Sequence, residues 1–206
     1  MTIRLHRGDL PSLDSYPAGG AVAVDTETMG LNPHRDRLCV VQLSPGDGTV
    51  DVVQIAQGQR EAPNLAALLG DPARVKIFHF ARFDIAALHE GLGIDTTPVF
   101  CTKIASRLVR TYTDRHGLKD LTRELIGVEL SKQQQSSDWG AAELTEAQLT
   151  YAASDVLYLH ALRDELIVRL ERENRMEIAQ ACYHFLPTRA RLDLDGWPET
   201  DIFAHS

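Results

Sequence analysis

Ala21-Val22-Ala23-Val24-Asp25-Thr26-Glu27 carries an apolar run straight into two acids spaced by one residue. The run suits a buried strand. Positions i and i+2 of a strand point to one face, so the carboxylates of Asp25 and Glu27 leave the strand together. Like charges held close raise each other's pKa, and a hard divalent cation with oxygen ligands removes that cost. Chance also places Asp-x-Glu at strand ends, so the pair gains meaning from its surroundings.

Outward from this segment, Leu38–Leu43, Thr49–Ile55 and Val75–Phe78 read as further strands, separated by Gly30, Pro33, Pro45, Gly46 and Gly48. Pro63 suits the first turn of a short helix. From about Ala81 the apolar spacing turns helical, with further helices expected at 102–111, 117–126 and 146–173. The last is the best marked. Thr145 and Gln148 have capping-box spacing, and Leu149, Ala152, Val156, Leu159, Leu162, Leu166 and Leu170 follow as a long apolar stripe. Strands first, with helices alternating later, predict an α/β fold: a mixed β-sheet flanked by α-helices. The expected organisation is one domain over 1–190 and an acidic tail over 191–206, docked through Trp197 and Phe203.

Two further features bear acids. Phe83-Asp84 falls in the first turn of the helix after Val75–Phe78. An acid there also offsets the positive end of a helix dipole. Tyr151-Ala-Ala-Ser-Asp155 places a phenol and a carboxylate one helical turn apart, at the edge of the apolar stripe. A local Tyr–Asp hydrogen bond would account for that pair alone. Together the three features supply four carboxylates and one phenol, the groups that two-metal phosphoryl chemistry requires.

The arrangement resembles the ribonuclease D group of the DEDD exonuclease superfamily, in the branch with tyrosine in the third motif. The likeness covers roughly Leu5 to Leu170. It rests on Val24-Asp25-Thr26-Glu27 with Gly30-Leu31, on His79-Phe-Ala-Arg-Phe83-Asp84, and on Tyr151-Ala-Ala-Ser-Asp155. Supporting stretches are Gly117-Leu-Lys-Asp-Leu121 and Ser137-Asp-Trp139. The resemblance implies a ribonuclease H-like fold and 3′-to-5′ hydrolysis that releases 5′-mononucleotides, with two divalent ions, Mg²⁺ or Mn²⁺. It implies that Asp25 bridges the ions, that Glu27 and Asp155 bind the ion activating water, that Asp84 helps hold the second, and that Tyr151 positions the water. Thr26, Met29, Gly30 and Leu31, with His79 and Phe83, are then expected around the terminal nucleotide. Ribonuclease D proper continues into helical nucleic-acid-binding domains, so for these 206 residues short or unstructured single-stranded 3′ ends are expected, RNA ahead of DNA.

Composition narrows the alternatives. No apolar run approaches the ~20 residues a membrane helix needs, and the polar first ten residues lack the apolar stretch of a signal peptide. Cys39, Cys101 and Cys182 are odd in number and lack zinc-ligand spacing, which predicts reduced thiols and a cytoplasmic setting. A net charge of −8 argues against coating nucleic acid by bulk charge. Locally, Lys103, Arg107 and Arg110 stand at helical spacing and are expected to share a face that meets the nucleic-acid backbone, or else one that is merely solvated. No Walker loop, nucleophile elbow or His-Glu-x-x-His motif occurs. The rival readings are a catalytically weak nucleic-acid-binding module, against which all four acids speak, and a proofreading-type DNA exonuclease subunit.

Overall fold

The computed structural model describes residues 1–131 and 136–205. Its strands are β1 (Thr2–Arg7), β2 (Val22–Thr28), β3 (Leu38–Ser44), β4 (Thr49–Gln54), β5 (Lys76–Phe78) and β6 (Val99–Cys101). Its helices are α1 (Pro63–Leu69), α2 (Ala81–Leu92), α3 (Thr102–Val109), α4 (Leu118–Ile126), α5 (Glu146–Leu157), α6 (Leu159–Arg172) and α7 (Met176–Leu194).

The strands form one mixed sheet in the order β1-β4-β3-β2-β5-β6. Strand β3 runs antiparallel to both β2 and β4, whereas β1 pairs parallel with β4, and β5 parallel with both β2 and β6. Every residue of β3 is buried, as a strand covered on both sides must be. Among the apolar residues of β3 stands Gln42, directly opposite Asp25 in the β2–β3 register. That register shifts between Glu27 and Thr28, whose partner is Leu38, so the ladder is irregular just after the two acids.

Strand β5 is pinned by a buried cation. The ammonium of Lys76 is fully enclosed and donates to the carbonyls of Asp71, Arg74 and Thr97 at 2.8, 2.7 and 2.6 Å. Three neutral acceptors replace its lost water. The end of β5 leads through His79 and Phe80 into α2, so this anchorage fixes where Asp84 is delivered.

The capping box at Thr145 and Gln148 forms as expected. The helix it starts differs from the expectation. It stops at Leu157, and α6 begins at Leu159 across Tyr158, whose φ of −105° and ψ of 0° stay right-handed but depart from regular helix values. The apolar stripe continues through this joint, since Ala152, Val156, Leu159, Leu162, Leu166 and Leu170 are all completely buried. Periodicity therefore runs across a break that neither Pro nor Gly signals.

Strands β1 and β6 and helix α7 had no clear mark in the sequence. Helix α7 passes through Pro187 to Leu194, so the division expected at residue 190 falls inside it. Beyond it, Arg82 and Arg189 donate to the carbonyl of Pro198 at 2.6 and 3.0 Å, and Phe203 lies 5.9 Å from Phe185 between ring centroids.

Candidate active site

Asp25 and Glu27 project from β2 and Asp155 from α5, and one carboxylate oxygen from each lies within 4.8 Å of the others. The strand period and the helix register thus meet as the spacing predicted. Asp84, in the first turn of α2, is buried, lies close enough for its charge to act on Asp25 and Glu27, and accepts a 2.8 Å hydrogen bond from the Thr26 hydroxyl. Thr26 alternates with Asp25 and Glu27 along β2, so one strand supplies two acids and the donor that steadies a third.

Each acid resists ionisation in this setting. Burial, then the charges of Asp84, Asp155 and Glu27, holds Asp25 well above the usual carboxylate range. Burial followed by Asp155 and Asp84 pushes Glu27 up to about 9. Burial pushes Asp84 up to about 7 against the opposing hydrogen bond from Thr26, and Asp155 up to about 7 against one from Tyr151. Tyr151 itself is raised by burial and by Asp155, Glu27 and Asp25, and so keeps its proton throughout the neutral range. The donors on hand are neutral: Thr26, Tyr151 and the Gln42 amide, whose nitrogen stands 3.4 Å from Asp25 Oδ2.

These residues fit a metal. The clustered donors are all carboxylate oxygens, without nitrogen or sulfur, which suits hard cations such as Mg²⁺ or Mn²⁺. Mutual repulsion of several acids at one point is the charge pattern that a cation neutralises.

The expected nucleotide-lining residues divide. Met29 and Leu31 protrude, at 51% and 85% exposure. The turn that presents them requires Gly30, because a Cβ there would lie 2.4 Å from the Asp36 carboxylate, which also caps the Asn32 amide. Thr26 is buried and its hydroxyl is committed to Asp84, so its side chain steadies the acid. His79 is tied to α3. The Thr102 hydroxyl donates to the Phe78 carbonyl, so His79 Nδ1 donates to Thr102 at 2.9 Å. Burial, then the charge of Lys103, lowers His79 to about 3, which keeps it neutral.

The basic face also divides. Lys103 is half-buried, Arg107 is exposed, and neither forms an ion pair with a described residue. Arg110 is a correction. It is completely buried and donates to Glu124, to the Ser106 hydroxyl at 3.0 Å and to the Arg115 carbonyl at 2.6 Å. Helical spacing alone missed this because α3 ends at Val109, so Arg110 turns inward as its cap.

Two further residues support the site: Gln42, which the sequence reading did not single out, and Trp139, which lies in the Ser137-Asp-Trp139 stretch of the resemblance. Gln42 could have been noticed as the one amide in an apolar strand. Trp139 is buried with its ring 6.1 Å from that of Tyr151. The neighbouring Gly140 lies so close to Met29 that a Cβ would come within 2.4 Å of its sulfur.

Comparison with known proteins agrees with this geometry. The family profile described as 3′-5′ exonuclease matches residues 12–171. Ribonuclease D of Gluconacetobacter diazotrophicus is 38% identical over 156 residues, which are 76% of this chain and 39% of that protein. The chain therefore spans about two fifths of the length of such curated relatives. The structure of Brucella melitensis NrnC with bound Mg²⁺ superimposes with a TM-score of 0.96 at 64% identity, covering all of both chains. The same protein bound to pGG gives 0.97 at 65%, again over both full lengths. The fold is the ribonuclease H-like one that the motifs implied, and the chain belongs to the 3′-5′ exonuclease family.

Proposed function

We propose that this protein is a metal-dependent exonuclease that removes nucleotides from the 3′ end of short single-stranded nucleic acid, RNA in preference to DNA, and releases 5′-mononucleotides. The observation that carries this reading is the convergence of Asp25, Glu27 and Asp155, with the charge of Asp84 acting on Asp25 and Glu27, without a basic partner among the described residues and beside a protonated Tyr151. Two divalent ions, Mg²⁺ or Mn²⁺, would be held by these acids, with Asp25 shared between them. Such ions supply neutralisation of the phosphate, activation of water and stabilisation of the leaving oxygen.

The chain's own groups do the remaining work. Tyr151 acts as a neutral hydrogen-bonding group that orients the attacking water, because its phenol stays protonated. Thr26 fixes the rotamer of Asp84, and Trp139 backs the ring of Tyr151. Met29 and Leu31 offer an apolar surface to the terminal base, while Lys103 and Arg107 supply positive charge for the phosphates. The Brucella protein bound to pGG supports a dinucleotide as the shortest substrate to try.

A time course decides the matter: 3′-free and 3′-blocked RNA and DNA, single- and double-stranded, together with pGG, each with Mg²⁺, Mn²⁺ or chelator. The expected result is 5′-mononucleotide release from free 3′ ends only, with metal only. Undiminished hydrolysis by metal-free protein in excess EDTA would overturn the metal dependence, and cleavage of 3′-blocked strands would overturn the polarity.

A further inference from the structure

Phe80 breaks three local rules at once. It is the N-cap of α2, a position that favours Ser, Thr, Asp or Asn because their side chains accept from the first-turn amides. A phenyl group cannot do so, and no side-chain cap forms. Its backbone is left-handed, with φ 70° and ψ 43°, a conformation in which Gly or Asn is expected. Its ring is 42% exposed, so burial does not explain the choice either. A residue that satisfies neither cap, backbone nor core preference marks a place where function sets the identity.

The surroundings indicate which function. The Lys103 ammonium sits 4.3 Å from the centroid of the Phe80 ring. Lys103 has no ion pair with a described residue, and its pKa is lowered, by burial first and then by Arg107. Phe80 also lines a cleft of about 620 Å³ together with Leu31, Phe83 and Pro198. The arginine in that cleft, Arg82, is taken by Asp193 at 2.5 and 2.7 Å. An exposed aromatic ring with a cation beside it, four residues before Asp84, has the makeup of a stacking platform for single-stranded nucleic acid.

We infer that Phe80 and Lys103 form a nucleotide subsite of the exonuclease centre: the phenyl ring stacks on a base of the bound strand and the ammonium meets the adjoining phosphate. This rests on the exonuclease reading above. The left-handed backbone aims the ring into the cleft, and Lys103 makes the pair selective for a base that carries a phosphate over an uncharged aromatic ligand.

The test uses pGG as probe, with calorimetric binding in the slow-turnover Tyr151→Phe background, kinetics in the parent, and thermal melts throughout. Asn accepts both the left-handed backbone and the cap, so Phe80→Asn should melt at or above the parent temperature. It should nevertheless bind pGG about tenfold more weakly, the scale of one lost base–aromatic stack, with the loss in KM and little change in kcat. Phe80→Trp should restore binding. Lys103→Met should weaken binding and lower the slope of log K against log salt by about 0.7, as expected for one single-strand phosphate contact. Phe80→Asn that binds and turns over pGG like the parent would overturn the proposal, as would a variant that loses binding only because its melt collapses. If the unsubstituted protein neither binds nor cleaves pGG or longer strands, the exonuclease reading fails first and the subsite with it.

Discussion

Two carboxylate centres are built on the same sheet, the second completed by helices α2 and α5, and their chemistry is opposite. Asp51 on β4 is almost fully buried, yet it accepts from Arg4 at 2.7 and 2.6 Å, from the Tyr16 hydroxyl at 2.7 Å and meets His6 at 2.7 Å. Burial raises its pKa, but these hydrogen bonds win and the net shift is downward. Around β2, two strands away, Asp25, Glu27, Asp84 and Asp155 have only neutral donors among the described residues, and all four are shifted upward. The fold thus holds one buried acid with its counter-charge built in and a cluster of four acids with the counter-charge left to be supplied. The first arrangement fastens β1 to β4; the second demands a cation.

The largest way to break this contrast is Asp25→Asn. It removes one of the clustered carboxylates and one of four repelling charges. Exonuclease turnover should fall on the order of 10³–10⁴-fold, the loss seen when a central catalytic group goes, while the metal-free protein should melt at a higher temperature than wild type. Paired kinetics and melts check both halves, and an Asp25→Asn variant that keeps its activity would remove Asp25 from the site. Tyr151→Phe should lower kcat by on the order of 10²-fold or more with metal affinity nearly unchanged, since a protonated phenol is a poor ligand for a hard ion. Calorimetry with Mg²⁺ beside single-oligonucleotide kinetics reads the two separately; a variant that has lost metal would show the phenol to be a prop for the ligand shell.

The next effect lies on the other centre. Asp51→Asn leaves Arg4 without its acidic partner and should cost about 2 kcal/mol of stability with kcat intact, as urea melts and steady-state rates would show. The smallest effect is one of sign. For the metal-free acid cluster, folded pKa values of about 7 for Asp84 and Asp155 and about 9 for Glu27 stand above the unfolded values of about 4. The native state therefore holds more protons between those limits, so stability is full below about pH 4 and declines as pH rises towards about 9. Asp51 runs the other way: its pKa is depressed, so its contribution is present above about pH 4 and disappears only as acid protonates it. Melts of metal-free protein from pH 5 to 9 should slope downward, and Asp51→Asn should not alter that slope.

Much of this was legible in sequence because it depends on short periods. The spacing of two puts Asp25 and Glu27 on one face of β2, and the spacing of four puts Tyr151 beside Asp155 on α5. What was hidden depends on contacts between distant segments. Strand β1 is short, half-exposed and polar, and is held in the sheet by pairing with β4 and carrying Arg4 to Asp51. Arg110 was placed with Lys103 and Arg107 by helical spacing, but its burial depends on Glu124, fourteen residues on. The break at Tyr158 left no trace, because the apolar stripe satisfies the core on both sides of it. Phe80 was invisible as a site residue for a related reason: a phenylalanine reads as core until its exposure and its positive φ are known.

The central claim is that the four acids have no counter-charge among the described residues, so that divalent cations can supply it. The most direct measurement is the melting temperature of metal-free protein titrated with Mg²⁺ at pH 6 and pH 9, for wild type and Asp25→Asn. Ligand that binds only the native state raises stability by RT ln(1 + [L]/Kd). Wild type should gain stability with Mg²⁺, more at pH 9 than at pH 6 because the acids are then ionised, and Asp25→Asn should gain far less. A wild-type melt that ignores Mg²⁺ at both pH values, or one that Asp25→Asn reproduces in full, would contradict the account.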